Sequence, residues 1–108
     1  MEKDSFTIFY ITHKTKESAR NFINHCLSEK WIACGNVLAI DSSYFWEEKV
    51  ISEDEYVSIV KTGNHLVDSF MNFAEKTHPY ETPCLLHWNV KANPAYTKWI
   101  YDTVKAID

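Results

Sequence analysis

Two amphipathic helical stripes, each flanked by runs of β-branched and aromatic residues, constrain this chain more than any other feature. Ala19, Phe22, Ile23, Cys26 and Leu27 follow the i, i+3, i+4, i+7, i+8 pattern of one helix over about residues 16–29. Leu66, Val67, Phe70, Phe73 and Ala74 share a face of a second helix, from Asn64 to about Lys76. Around them lie strand patterns: Ser5 to Thr12, Trp31 to Ile40 continuing into Tyr44-Phe45-Trp46, Tyr56 to Thr62, and Cys84 to Val90. A third helix opens at Asn93-Pro94, a capping residue followed by proline at the first helical position. Tyr96, Trp99, Ile100, Thr103, Val104 and Ile107 give it one apolar side.

The order is strand, helix, strand, strand, helix, strand, with a helix to finish. Two βαβ halves joined by a central hairpin specify an α+β, ferredoxin-like βαββαβ sandwich, with helices on one face of an antiparallel sheet and an extra C-terminal helix. Thr15 and Asn64 are the expected side-chain caps of the first two helices, with Glu17 in the first turn. Gly35 marks a bulge or a close approach. Asp41-Ser42-Ser43 reads as a bend or bulge, Glu47-Glu48-Lys49 as a charged turn, and Glu53-Asp54 as a second polar break. The strands stay apolar on both faces, so the face without helices calls for another subunit to cover it.

At 108 residues, positions 1–108 make one domain with a single core. Charged residues at 24% and hydrophobic ones at 45% exclude a disordered chain. With four Trp and six Tyr, some rings are expected in subunit contacts. The net charge of −4 and scattered lysines provide no basic face, which argues against nucleic acid. No apolar run reaches membrane-spanning length, and Met1-Glu2-Lys3-Asp4 leads into a strand without a signal-peptide core. Cys26, Cys34 and Cys84 follow no metal-motif spacing, and reduced thiols in the cytoplasm are expected.

Five segments in register then carry a resemblance. They are Leu27-Ser28-Glu29-Lys30-Trp31-Ile32-Ala33-Cys34-Gly35-Asn36, Ser43-Tyr44-Phe45-Trp46-Glu47-Glu48-Lys49, Lys61-Thr62, His78-Pro79-Tyr80-Glu81-Thr82-Pro83 and Asn93-Pro94-Ala95-Tyr96-Thr97-Lys98-Trp99. Together they resemble the "L-x-E-x-L-x-A-C-x-N", "S-x-Y-x-W-x-G-K", "K-T", "H-P-Y-E-x-P" and "N-x-x-Y-x-x-W" segments of the CutA divalent-cation tolerance proteins. The resemblance implies a ferredoxin-like protomer in a homotrimer whose long hairpins reach neighbouring subunits. It also implies a link to tolerance of copper and other divalent cations, with no reaction to transfer. The family's shape is similar to that of the trimeric nitrogen-regulatory proteins, which bind small molecules between subunits. Ile11 stands where many members carry cysteine, Cys84 where many carry glutamate, and Glu48 where a hairpin glycine is usual. Of the two altered metal-ligand positions, Ile11 cannot bind metal.

The turn from His78 to Pro83 is the chemical focus. Pro79 and Pro83 fix their own φ and push His78 and Thr82 out of the helical region. His78, Glu81 and Cys84 supply imidazole, carboxylate and thiolate within seven residues, a donor set suited to Cu or Zn. The competing reading has His78 and Glu81 hydrogen-bonded to backbone and neighbouring subunits, fixing the turn. Tyr80 and Lys61, with Trp46 and Glu47 from the hairpin, are expected to line a cleft between subunits, suited to a small anionic or zwitterionic ligand. Alternatively, Trp46 and Tyr80 are subunit packing. Cys34 and His78 lack a third orienting group, so no enzyme is expected. His13 and His25 are expected in solvent, His65 in the second helix's first turn, and His87 on the strand face opposite Trp88.

Three functions remain open at this level. One is a trimer serving divalent-metal tolerance through weak metal binding. The others are a small-molecule sensor with ligands between subunits, and an interaction protein without a ligand.

Overall fold

Alternation along the first strand sets the sheet. In β1 (Phe6–His13), Thr7, Phe9, Ile11 and His13 are buried on one face, while Ile8, Tyr10 and Thr12 on the other are only partly covered. The computed structural model describes residues 4–106. Met1, Glu2 and Lys3 of the charged N-terminus, and Ile107 of the third helix's expected apolar side, lie outside the described residues. After β1 come α1 (Lys16–Ser28), β2 (Cys34–Trp46), β3 (Lys49–Thr62), a single 3-10 turn (Asn64–Leu66), α2 (Val67–Thr77), β4 (Leu85–Val90) and α3 (Pro94–Thr103). The sheet has the order β2-β3-β1-β4, and each neighbouring pair is antiparallel. The α+β expectation is met, with four strands and three helices.

Helices α1 and α2 cover one face. Ile23 and Cys26 from α1, and Phe70 and Ala74 from α2, join Phe9, Ile11 and Val60 in the core. Phe9 meets Phe70 edge-on, with ring centroids 4.9 Å apart. Each such large side chain contributes about 1.5–3 kcal/mol through burial. Gly35 proves to be a close approach: a Cβ there would lie 2.8 Å from Ile23 Cγ2, so its absence lets α1 settle on β2. Thr15 caps α1 as expected, its Oγ1 accepting the Ser18 N–H at 2.9 Å.

The central hairpin is longer and more regular than its polar residues suggested. Pairing runs unbroken from Cys34 opposite Lys61 to Trp46 opposite Lys49. No bulge falls at Asp41-Ser42-Ser43 and no break at Glu53-Asp54, because backbone ladders do not depend on side-chain polarity where no core covers the strand. Cross-strand contacts replace it: Ser43 Oγ lies 3.0 Å from Ser52 Oγ, and the Tyr44 hydroxyl donates to Glu53 Oε2 at 2.5 Å. Glu47 and Glu48 close the turn with φ of 48° and 65°, the positive pair that a two-residue type I′ hairpin requires. The projecting hairpin stretches the molecule to 47 × 24 × 22 Å.

Three other expectations change. Trp31 to Ala33 precede β2 rather than belonging to it, since α1 ends in a left-handed Lys30 (φ 62°) and the Trp31 N–H returns to Cys26 O at 3.0 Å. Asn64 does not cap a helix with its side chain. Its Oδ1 instead accepts from Thr7 Oγ1 (2.7 Å) and Asn89 Nδ2 (2.9 Å), tying β1 to β4. His13 is only 1% exposed, because period two from Phe9 and Ile11 carries it to the helix-covered face.

The opposite face is uncovered. The strand register sends Leu38, Leu86 and Trp88 there, and they remain 50%, 54% and 45% exposed. Helix α3 packs at one end, with Tyr96 against Phe6 (6.0 Å) and above the Lys61 ammonium (5.6 Å). Among the described residues no helix is long and apolar enough to cross a membrane.

Candidate functional site

Helix α2 stops where Pro79 forces it to. His78 is its C-cap in extended conformation, its N–H still bonded to Ala74 O at 3.0 Å. The His78 ring then turns inward and is buried. Its Nδ1 accepts the Tyr80 N–H at 3.0 Å, which leaves the proton on Nε2 to be donated to Thr12 O at 2.7 Å. Both ring nitrogens are therefore engaged, and the His13 ring stacks on this imidazole at 5.3 Å.

The inward His78 sets the direction of Tyr80. The two rings meet edge-on at 4.6 Å, and the Tyr80 hydroxyl reaches out to donate to Glu55 Oε2 at 2.7 Å. Glu55 is only 7% exposed, an unusual degree of burial for a carboxylate. One period along the same face of β3, Glu53 accepts the Tyr44 hydroxyl. The Tyr80–Glu55 pair thus joins the turn to the hairpin, and the Tyr44–Glu53 pair bridges the hairpin's two strands.

Between them lies a cleft of about 820 Å³. Tyr10, Tyr44, Trp46 and Tyr80 contribute rings to it, Asp41, Glu53, Glu55 and Glu81 contribute carboxylates, and Lys14 contributes one ammonium. Its negative character reaches the phenols. The hydrogen bond to Glu53 pushes Tyr44 up to about 12, and burial followed by Glu55 raises Tyr80 further.

The residues singled out from sequence divide cleanly. Trp46, Tyr80, Glu81 and Cys84 all line the cleft. His78 faces away into its own hydrogen bonds, and Glu47 sits in the hairpin turn. Lys61 is not among the residues lining this cleft: six residues along β3 from Glu55, it donates to Asn36 Oδ1 at 3.0 Å and lies 3.7 Å from Cys34 Sγ. The His78, Glu81 and Cys84 donors are not assembled as one set. Among the described residues no three His, Cys, Asp or Glu side chains gather as a metal ion would need. Cys34 neighbours Lys61 rather than His78, and burial raises the Cys26 thiol to about 12, with Glu29 adding to the effect.

Sequence reasoning missed Glu53, Glu55, Tyr44 and Tyr10. The available signal was period two: without a break at Glu53-Asp54, Glu53 and Glu55 share a face, and hairpin register brings Tyr44 beside them.

A family model described as "CutA1 divalent ion tolerance protein" matches residues 7–103. The chain is similar to the divalent-cation tolerance protein CutA of Pyrococcus horikoshii, 31% identical over 99 residues that span 91% of this chain and 97% of that one. It is also 31% identical over 111 residues to the chloroplastic protein CutA 1 of Oryza sativa subsp. japonica, covering 97% of this chain but 63% of the longer relative. Among solved structures, CutA1 from Ehrlichia chaffeensis superposes with a TM-score of 0.86 at 34% identity, over 91% of this chain and 94% of that one.

Proposed function

This chain belongs to the CutA1 divalent ion tolerance family, and on that premise we propose that it acts as a cytoplasmic homotrimer of ferredoxin-like protomers serving tolerance of divalent metal ions, copper included. The observation that carries the assembly is the uncovered face, where Leu38, Leu86 and Trp88 stand in solvent beside a hairpin tip bearing Phe45 and Val50 at 70% and 73% exposure. Apolar surface of this kind is ordinarily covered by another chain. Free Cys26, Cys34 and Cys84 suit a reducing compartment.

In this reading Cu or Zn is an ion the protein responds to, not a resident cofactor. The described donors of a single chain do not fit a closed metal centre, since His78 is engaged at both nitrogens and among the described residues no three ligands converge. Glu81 and Cys84 at the cleft remain the donors available for weak contact with such an ion. In this reading the role is non-enzymatic: Cys34 lies beside the Lys61 ammonium and away from His78. The test is growth at raised copper of a strain lacking its own copy, with and without this chain. Restored growth is expected, and no restoration by well-expressed protein would contradict the tolerance role.

The cleft favours a second reading, a sensor of small molecules. Its volume of about 820 Å³ suits an organic ligand rather than a lone ion.

A further inference from the structure

We infer that the segment 104–106 is a strap over Trp31 that opens by itself while the sheet and helices stay folded. It is a conformational device on the helical side of the molecule, apart from the cleft and the uncovered sheet face.

The starting observation is a polar atom with nowhere to donate. Trp31 is only 8% exposed, and among the described residues its Nε1–H is buried without a hydrogen-bond partner. Buried N–H groups are almost always paired, because an unpaired one forfeits its bond to water. The main chain offers no relief. The Trp31 N–H is bonded to Cys26 O at 3.0 Å, and Trp31 O accepts from the Thr62 hydroxyl at 2.6 Å. With both backbone groups held, the indole N–H reaches water only if its cover moves.

Two groups lie on the indole. Phe73 stacks on it with centroids 5.4 Å apart, and belongs to α2, whose Phe70 and Ala74 sit in the core. The Lys105 ammonium lies 3.7 Å from the ring centroid, and belongs to the short segment after α3. Buried Val104 anchors that segment, its N–H bonded to Ile100 O at 3.2 Å. Beyond this anchor two hydrogen bonds fasten the strap. The Lys105 N–H donates to Lys30 O at 2.9 Å, and His65 Nε2 donates to Lys105 O at 2.9 Å. Gly63 makes room for the second fastener, since a Cβ there would lie 2.5 Å from His65 Cε1. The His65–Lys105 bond is exposed, and segments held by exposed bonds open at the lowest free energy. The strap is therefore the cover that moves.

Opening has a defined consequence. It breaks the Lys105–Lys30 bond and leaves the connector 30–33 held from one side only, by Thr62 Oγ1 to Trp31 O and by Ala33 N–H to Lys61 O at 2.9 Å. That connector feeds β2, so the strap sets how firmly the hairpin's first strand is held at its start. The charge on Lys105 is the control, because its attraction to the indole face exists only in the closed state.

Hydrogen exchange of the isotopically labelled full chain, followed by NMR, tests the strap. The probes are the Trp31 indole N–H, identified by its loss in Trp31→Phe, the Lys105 amide, and the Val60 amide in β3 between its two neighbouring strands. The first two are expected to show equal protection factors, at least about 100-fold below that of Val60. Lys105→Met keeps an aliphatic cover without the charge, and His65→Ala removes a fastener. Each should lower both protection factors about fivefold or more and leave that of Val60 unchanged. An indole protected as well as Val60 would overturn the strap. So would a Lys105 amide protected far better than the indole, or protection that neither substitution moves. A fall shared equally by Val60 would mark global unfolding and overturn it as well.

Discussion

The imidazoles of His13 and His78 stack with centroids 5.3 Å apart and planes 26° from parallel, joining the end of β1 to the turn after α2. Ser58 Oγ lies 2.8 Å from His13 Nε2, and the Phe22 ring sits 5.2 Å from the His13 ring. Burial, with the neighbouring His78 adding to it, holds His13 down to about 4 from an ordinary 6.5. The unfolded chain therefore takes up this proton first. Its contribution to stability is complete above pH 6.5, falls as pH drops, and is lost by about pH 4, a change of about 3 kcal/mol. Urea unfolding at pH 7.5, 5.5 and 4.5 measures it. A His13→Gln variant should flatten that slope.

Substituting His78 separates architecture from metal chemistry. His78→Ala removes two partly buried hydrogen bonds, to Thr12 O and from the Tyr80 N–H. It should lower unfolding free energy by about 2–3 kcal/mol while leaving Cu or Zn affinity unchanged. Denaturant unfolding and metal titration on the same sample check both halves. A large loss of metal affinity would restore His78 as a ligand.

The hairpin turn offers a stabilising change. Glu48 has a φ of 65°, in the left-handed region that costs a side chain about 1–2 kcal/mol. Glu48→Gly should therefore raise stability by about 1 kcal/mol, read as a higher urea midpoint.

At Gly35 the expected change is opposite. An added Cβ would meet Ile23 Cγ2 at 2.8 Å and Cδ1 at 2.9 Å, inside a packed contact between β2 and α1. Gly35→Ala should destabilise by about 1–3 kcal/mol through overpacking. Pairing it with Ile23→Val should recover part of the loss, measurable by a double-mutant cycle.

Elements whose burial pattern is local were readable from sequence. The stripe through Ile23 and Cys26 and the one through Phe70 and Ala74 each repeat within a few residues and face one core. The hairpin's regularity was not readable, because Asp41 and Glu53-Asp54 look like breaks when a core is assumed on one face. No core covers that part of the strands. Register within the chain sets Lys61 apart from Glu55: its opposite numbers are Cys34 and Ile8, whereas Glu55 lies across from Ile40. The Tyr80–Glu55 contact joins residues 25 apart in sequence, so no local pattern announces it. Recognisable residues such as Trp46, Tyr80, Glu81 and Cys84 did mark the cleft, but its charge depended on which strand end each side chain reached.

Self-association through the uncovered sheet face is the claim on which the proposed role depends. Sedimentation equilibrium of the full chain at micromolar concentration tests it directly. The expected result is a single species of three times the 12.7 kDa chain mass. Leu38→Glu with Leu86→Glu should shift it toward the single-chain mass without loss of helical signal, since both side chains are about half exposed in the isolated chain. A wild-type protein that remains at 12.7 kDa across that concentration range would contradict the assembly.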